Sequence, residues 1–143
     1  MTTNGSVLLV DDDAYTLDAL RRLLSRDLTI HTVPDGPSAL ILMKEERFAV
    51  VVTDLVMPGM SGFELLNSLE TEFPETVCIV LSGRPSESFP TKMPKNVFRY
   101  LEKPCCIDIL VDTLNGAFAE YVLNFHRDTV FLRETDITRS SLV

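Results

Sequence analysis

Five polar positions in this chain each stand close behind a short apolar run: Asp11 and Asp12 after residues 7–10, Asp54 after 48–53, Ser82 after 77–81 and Lys103 after 97–101. If those runs are strands lying side by side, three carboxylates, a hydroxyl and an ammonium converge on one small site. Carboxylates held close repel each other and resist joint ionisation. A divalent cation resolves the conflict, and hard oxygen ligands with few protein contacts suit Mg²⁺, which keeps part of its water shell. Asp54 is the strongest candidate for covalent chemistry, because a carboxylate can attack phosphorus and form an acyl phosphate. That reaction needs charge neutralised on the transferred group, by the metal and Lys103, with Ser82 donating a further hydrogen bond. Each residue also has an ordinary reading. Asp11 to Asp13 would form a turn and a helix N-cap, the favoured assignment for Asp13. Ser82 would cap a turn, and Lys103 would be a solvated surface lysine.

The elements that must position these groups are legible as apolar periodicity. Residues 7–10 are continuously apolar, which fits a strand buried on both faces. Over 14–26, Leu17, Leu20, Leu23 and Leu24 recur at helical spacing with Arg21, Arg22 and Arg26 opposite. Residues 28–33 read as a second strand. Asp35-Gly36-Pro37-Ser38 then forms a turn with proline suited to the first helical turn, opening a helix that buries Ala39, Leu40, Leu42 and Met43 and stops near Glu46. Residues 48–53 deliver Asp54, a Pro- and Gly-rich loop covers 55–62, and Ser61 or Gly62 opens a helix through Phe63, Leu65, Leu66 and Leu69. Strands at 77–81 and 97–101 follow, then a last helical stripe from Ile107 to Phe125. Such alternation implies βαβ units and an α/β fold with a mainly parallel sheet covered on both faces. In these sheets the binding crevice lies outside the carboxyl ends of the strands, where the five polar positions fall.

Composition narrows the class. The chain has 143 residues, 45% apolar and 24% charged, the mix of one globular domain. Its apolar runs fall well short of the roughly 20 residues of a membrane helix, and the polar start is unlike a signal peptide, so a cytoplasmic protein without membrane contact is expected. A net charge of -8, with basic residues scattered, argues against nucleic acid as a partner. Cys78, Cys105 and Cys106 lack metal-ligand spacing, and we expect reduced, mostly buried thiols.

Four segments resemble the receiver domains of two-component response regulators: Val-Leu-Leu-Val-Asp-Asp-Asp at 7–13, Asp-Leu-Val-Met-Pro-Gly-Met-Ser-Gly at 54–62, Leu-Ser-Gly at 81–83 and Tyr-Leu-Glu-Lys-Pro at 100–104. The match runs in order over about residues 6–124. It implies a doubly wound, five-stranded parallel sheet of flavodoxin-like order 2-1-3-4-5. It also implies that Asp54 is the phosphoacceptor, that Asp12 binds Mg²⁺ directly and Asp11 through water, and that Val56 adds its backbone carbonyl, with Mn²⁺ able to substitute. Ser82 and Lys103 would contact the phosphoryl group, and Tyr100 would be the aromatic that turns inward as Ser82 moves. The Lys103–Pro104 peptide is often cis in such domains. The phosphoryl group would come from a histidine kinase or phosphotransfer domain, or from a small phosphodonor, and switch an output through a population shift. The domain would catalyse only its own phosphorylation and dephosphorylation.

Two stretches depart from that family. Residues 84–96 hold Pro85, Pro90 and Pro94, and an interior proline costs a helix roughly 3 kcal/mol, so the fourth helix is expected to be irregular or shortened. At the other end the stripe continues to Phe125 with Leu132 beyond, an expected long C-terminal helix that would serve a homodimer or lead to an output domain. Past Arg133 the chain reads as polar and unstructured. The expected organisation is a tail at 1–6, the receiver at 7–124 and an extension or linker at 125–143. Three rival readings stand beside this one. A phosphorylation-independent, receiver-like interaction module would bind no cation. A haloacid dehalogenase-type phosphatase needs a second Asp two residues after the nucleophile, where Val56 stands. Flavin mononucleotide binding needs a phosphate-cradling loop where Asp11 to Asp13 stand.

Overall fold

The computed structural model describes residues 5–83 and 93–142, and of 126–142 the backbone alone. In chain order the elements are β1 (Ser6–Val10), α1 (Ala14–Leu24), β2 (Thr29–Val33), α2 (Gly36–Glu45), β3 (Val50–Thr53), α3 (Gly62–Glu72), β4 (Val77–Ser82), β5 (Val97–Glu102) and α4 (Ile107–Leu142). All strand pairings are parallel, and the sheet order is β2-β1-β3-β4-β5. The expected fold is the observed one.

Period-two alternation within the buried strands explains how both faces are covered. Val7, Leu9, Val50, Val52, Val77, Ile79 and Leu81 face α1 and α4, against Leu17, Leu24, Leu110 and Leu114. Leu8, Val10, Val51, Cys78 and Val80 face α2 and α3, against Ala39, Met43, Leu65, Leu66 and Leu69. Truncating one of these buried leucines to alanine costs about 2–5 kcal/mol. Within α2 only Ala39 and Met43 of the four expected apolar residues are fully buried, while Leu40 and Leu42 pack partly against the same core.

Side-chain caps fix where the helices begin. Asp13 accepts from the backbone N–H of Tyr15 and Thr16 at the start of α1, and Asp35 accepts from Ser38 N–H at the start of α2. Ser61 and Glu64 form a reciprocal capping box at α3. The α1 helix ends at Leu24, two residues before the expected Arg26, with Ser25 as its C-cap still donating its N–H to the Arg21 carbonyl.

At the edge, β5 pairs with β4 through a register shift that leaves Phe98 as an extra residue between Val97 and Arg99. The crossover from β4 to β5, expected to be an irregular fourth helix, lies largely outside the described residues. The C-terminus corrects an expectation: the backbone stays helical to Leu142, past Arg133, where unstructured chain was anticipated. Residues 117–142 contain neither glycine nor proline, so no backbone signal ends the helix where polarity rises. No helix among the described residues is long and apolar enough to cross a membrane.

Candidate functional site

The parallel registers bring the sequence-predicted residues together. Val10 lies beside Thr53 and Val33, Thr53 beside Val80, and Ser82 beside Glu102, so the chain leaves β1, β3, β4 and β5 at one pole of the sheet. Asp11, Asp12 and Asp54 each offer a carboxylate oxygen, and these oxygens lie within 4.8 Å of one another. Asp11 is buried, Asp54 half-buried and Asp12 exposed.

Lys103 Nζ bridges two of the three. It donates to Asp11 Oδ2 at 2.7 Å and to Asp54 Oδ2 at 3.1 Å. Burial pushes the lysine towards deprotonation, but its hydrogen bonds and attraction to Asp11 and then Asp54 outweigh this and raise its pKa above the ordinary lysine range. The backbone holds the remaining oxygens. Asp13 N–H donates to Asp11 Oδ1 at 2.9 Å, and the N–H groups of Leu55 and Val56 donate to Asp54 Oδ1 at 2.6 and 3.2 Å. Among the described residues, three carboxylates therefore meet a single ammonium in a partly desolvated place. The excess negative charge and the all-oxygen donor set fit a hard divalent cation.

Ser82 is fully buried at the end of β4, and its carbonyl accepts from Lys103 N–H at 2.8 Å, tying the two strand ends together. The following Lys103–Pro104 peptide is cis, as the resemblance implied. Tyr100 is half-buried against the α2–α3 side of the core, so it is more enclosed than an edge-strand aromatic standing in water. Burial, then Glu102 and Asp54, raises its phenol above the usual tyrosine pKa. The side chain of Val56 is half exposed beside Asp54. Asp13 turns from the cluster to cap α1, and the Thr16 side chain is the main cause of its lowered pKa. Of the three thiols only Cys78 is fully buried, which corrects the expectation of mostly buried cysteines: on the β5–α4 connection Cys105 packs partly against the core and Cys106 is exposed.

Gly62, expected only as a helix opener and as part of a motif, has a positioning role in the structure. A Cβ there would lie 2.1 Å from the Asp54 carbonyl oxygen and 2.6 Å from Leu55 Cα. Its N–H donates to the Leu55 carbonyl at 2.9 Å, so the loop after Asp54 folds back onto the start of α3. Only glycine allows that approach. A glycine at the first helical position after a capping serine was the one available signal.

The residues matched by the family model for the response regulator receiver domain are 7–115. The chain belongs to that family. It is 35% identical over 115 residues to the hydrogenase transcriptional regulatory protein HoxA of Cupriavidus necator, a match covering 79% of this chain and 24% of the relative. It is likewise 35% identical over 118 residues to the sensor kinase CckA of Brucella abortus, covering 80% of this chain and 12% of that protein. The chain thus spans a quarter or less of these two relatives. Among solved structures, adenylate cyclase from Rhodopirellula baltica superposes with a TM-score of 0.84 at 32% identity, covering 90% of this chain and 98% of that one. The signal receiver domain of an HD domain-containing protein from Pseudomonas fluorescens gives 0.78 at 30%, covering 83% and 98%. The receiver is a two-component signalling domain, and receiver domains bind Mg²⁺ through an acidic pocket of this kind.

Proposed function

We propose that Asp54 is the phosphoacceptor of this receiver, and that Asp11, Asp12 and Lys103 make its phosphorylation feasible. The observation that carries the reading is the Lys103 ammonium shared between Asp11 and Asp54, with Asp12 beside them. An Asp54 oxygen attacks the donor phosphorus, the bond from phosphorus to the donor breaks, and the donor leaves. Lys103 neutralises negative charge on the transferred group while Leu55 and Val56 N–H groups hold the other Asp54 oxygen in place. Mg²⁺, when bound, supplies further neutralisation of the phosphoryl oxygens. Asp12 and Asp54 would hold it directly, Asp11 through water and Val56 by its backbone carbonyl, and Mn²⁺ would serve in its place.

Ser82 and Tyr100 form the switch in this reading. Phosphorylation draws the buried Ser82 hydroxyl towards the new oxygens, and Tyr100, already half inside the core, follows. Water later attacks phosphorus and restores the carboxylate. The donor is a cytoplasmic histidine kinase, a phosphotransfer domain or a small acyl phosphate. We take residues 7–124 as the receiver and 125–143 as an extension, which serves a homodimer or leads to an output domain of the kind that longer relatives have room for.

Intact-mass spectrometry after incubation with acetyl phosphate and Mg²⁺ tests this reading. The parent chain should gain one phosphoryl mass, and neither the Asp54→Asn variant nor a Mg²⁺-free sample should gain it. A parent that neither gains the mass nor binds beryllium fluoride would instead be a phosphorylation-independent interaction module.

A further inference from the structure

The loop from Asp54 to α3 is anchored at its base and again on its far side. At the base, Gly62 N–H donates to the Leu55 carbonyl at 2.9 Å, and the side chains of Leu55 and Met57 are buried in the core. Val56 between them is half exposed. On the far side Gly59 takes a φ of 77°, and beyond that turn Met60 packs partly against the core on the α2–α3 side of the sheet. There it covers Gly36, the buried first residue of α2. A Cβ on Gly36 would overlap Met60 Sδ and come within 3.0 Å of its Cγ, so the thioether lies directly on the glycine backbone. The β2–α2 turn that presents Gly36 is itself tied to the other half of the acidic site. Asp11 N–H donates to the Val33 carbonyl at 3.3 Å, and Asp35 fixes the start of α2 by accepting from Ser38 N–H at 2.8 Å. Lys103 joins Asp11 and Asp54 through their carboxylates. The Met60–Gly36 contact joins the backbone segments behind them.

We propose that Met60 is a positioning residue for the Mg²⁺ site: its contact with Gly36 holds the 55–62 loop so that Asp54 and the Val56 carbonyl keep their places relative to Asp11 and Asp12. This role rests on the Mg²⁺ site of the preceding reading. Met60 acts through the loop backbone and not as a ligand, because its sulfur is a soft donor packed on a glycine, whereas Mg²⁺ takes hard oxygens. The cation accepts little departure from an octahedron with ligands at roughly 2.0–2.1 Å. A small shift of the loop therefore costs affinity even when every carboxylate is still present. The methionine side chain suits the task, since its unbranched, polarizable thioether fills the irregular gap between two turns.

Calorimetric titration of the full chain with magnesium chloride tests this, beside Gly36→Ala, Met60→Ala and the double variant. Gly36→Ala is the sharper probe. The added methyl meets a flexible side chain that can swing aside, so the urea midpoint without Mg²⁺ should match the parent's while the loop loses its anchor. Mg²⁺ affinity should fall about tenfold, the loss expected when the support behind a metal ligand is removed. Met60→Ala should weaken binding by a similar factor, and the double variant should be no weaker than Met60→Ala alone, because both changes act through one contact. Phosphorylation from acetyl phosphate should slow in each variant at low Mg²⁺ and recover at saturating Mg²⁺. Parent-like affinity in Gly36→Ala or Met60→Ala, losses that multiply in the double variant, or a rate that stays low at saturating Mg²⁺ overturns the proposal. The parent's own titration separates the two readings. A parent that binds no Mg²⁺ removes the metal site and this role with it, whereas a parent and a Gly36→Ala variant that bind it equally well sink the Met60 inference alone.

Discussion

The two poles of the sheet use similar residue types and treat them oppositely. At the pole where the strands begin, several polar side chains bond singly to backbone carbonyls, although the buried Asn96 Oδ1 lacks a partner among the described residues. Ser6 Oγ donates to the Arg47 carbonyl at 3.3 Å, Thr76 Oγ1 to the Phe48 carbonyl at 3.0 Å, and Asn124 Nδ2 to the Glu75 carbonyl at 3.0 Å. The Arg47 guanidinium lies 5.4 Å above the Phe125 ring, pinning α4 to the loop before β3. At the pole where the strands end, three carboxylates are crowded around one ammonium among the described residues. Packing alone does not reward that arrangement, since close like charges oppose folding unless something positive or reactive joins them. Settled polar contacts hold a fold together. Unsettled charge marks the candidate site.

The sharpest way to break this contrast is to remove the ammonium. Lys103→Ala leaves Asp11 buried and facing Asp54 uncompensated. Phosphorylation from acetyl phosphate should fall about 100-fold, and stability without Mg²⁺ should fall by about 2 kcal/mol in urea melts, with Mg²⁺ restoring part of it. A variant that phosphorylates at the parent's rate would remove Lys103 from the mechanism. Gly62→Ala comes next, because its Cβ meets backbone and not a movable side chain. We expect a loss of about 1–3 kcal/mol and weaker Mg²⁺ binding, both measured against an exposed Ala control.

At the settled pole, Arg47→Ala should cost only about 0.5–1 kcal/mol and leave the rate of phosphorylation unchanged. A large drop in that rate would mean that the poles are coupled through α4. The smallest effects are in pH. The Asp13 and Asp35 caps both have lowered pKa values, chiefly through Thr16 and Ser38 side chains. Their stabilisation is therefore complete above the unfolded value of about 3.9 and is lost as pH falls through the folded values. Asp13→Asn should flatten that acid limb in urea midpoints. Lys103 acts with the opposite sign. Its raised pKa gives stability that is present below about 10.4 and lost as pH climbs through the folded value.

Most of the fold and most of the site were legible from one dimension of information. Continuous apolar runs at 7–10, 48–53 and 77–81 mark strands buried on both faces, and strands alternating with helical stripes admit few topologies besides a wound parallel sheet. Once the strands are parallel, residues just past their ends must share a pole, so Asp11, Asp12, Asp54, Ser82 and Lys103 were identifiable before any coordinates. Local signals did the rest, since Asp13, Asp35 and Ser61 cap helices through atoms only two or three residues away.

Distances across the chain were not legible. The Lys103 contacts to Asp11 and Asp54 join residues 92 and 49 positions apart, and no periodicity encodes which carboxylate a flexible lysine reaches. The need for Gly62 arises from a backbone carbonyl eight residues earlier in the chain, placed there by the loop's return. The exposure of Cys105 and Cys106 depends on what covers a connection, which only the packing of α1 and α4 decides. The extent of α4 beyond Arg133 escaped for a related reason: polarity suggests solvent, but a helix stops for want of backbone competence, and this stretch has no glycine or proline to stop it. Residue order determined which groups would meet. Tertiary structure decided which atoms touch, because contact energies depend on ångströms that side-chain type alone does not specify.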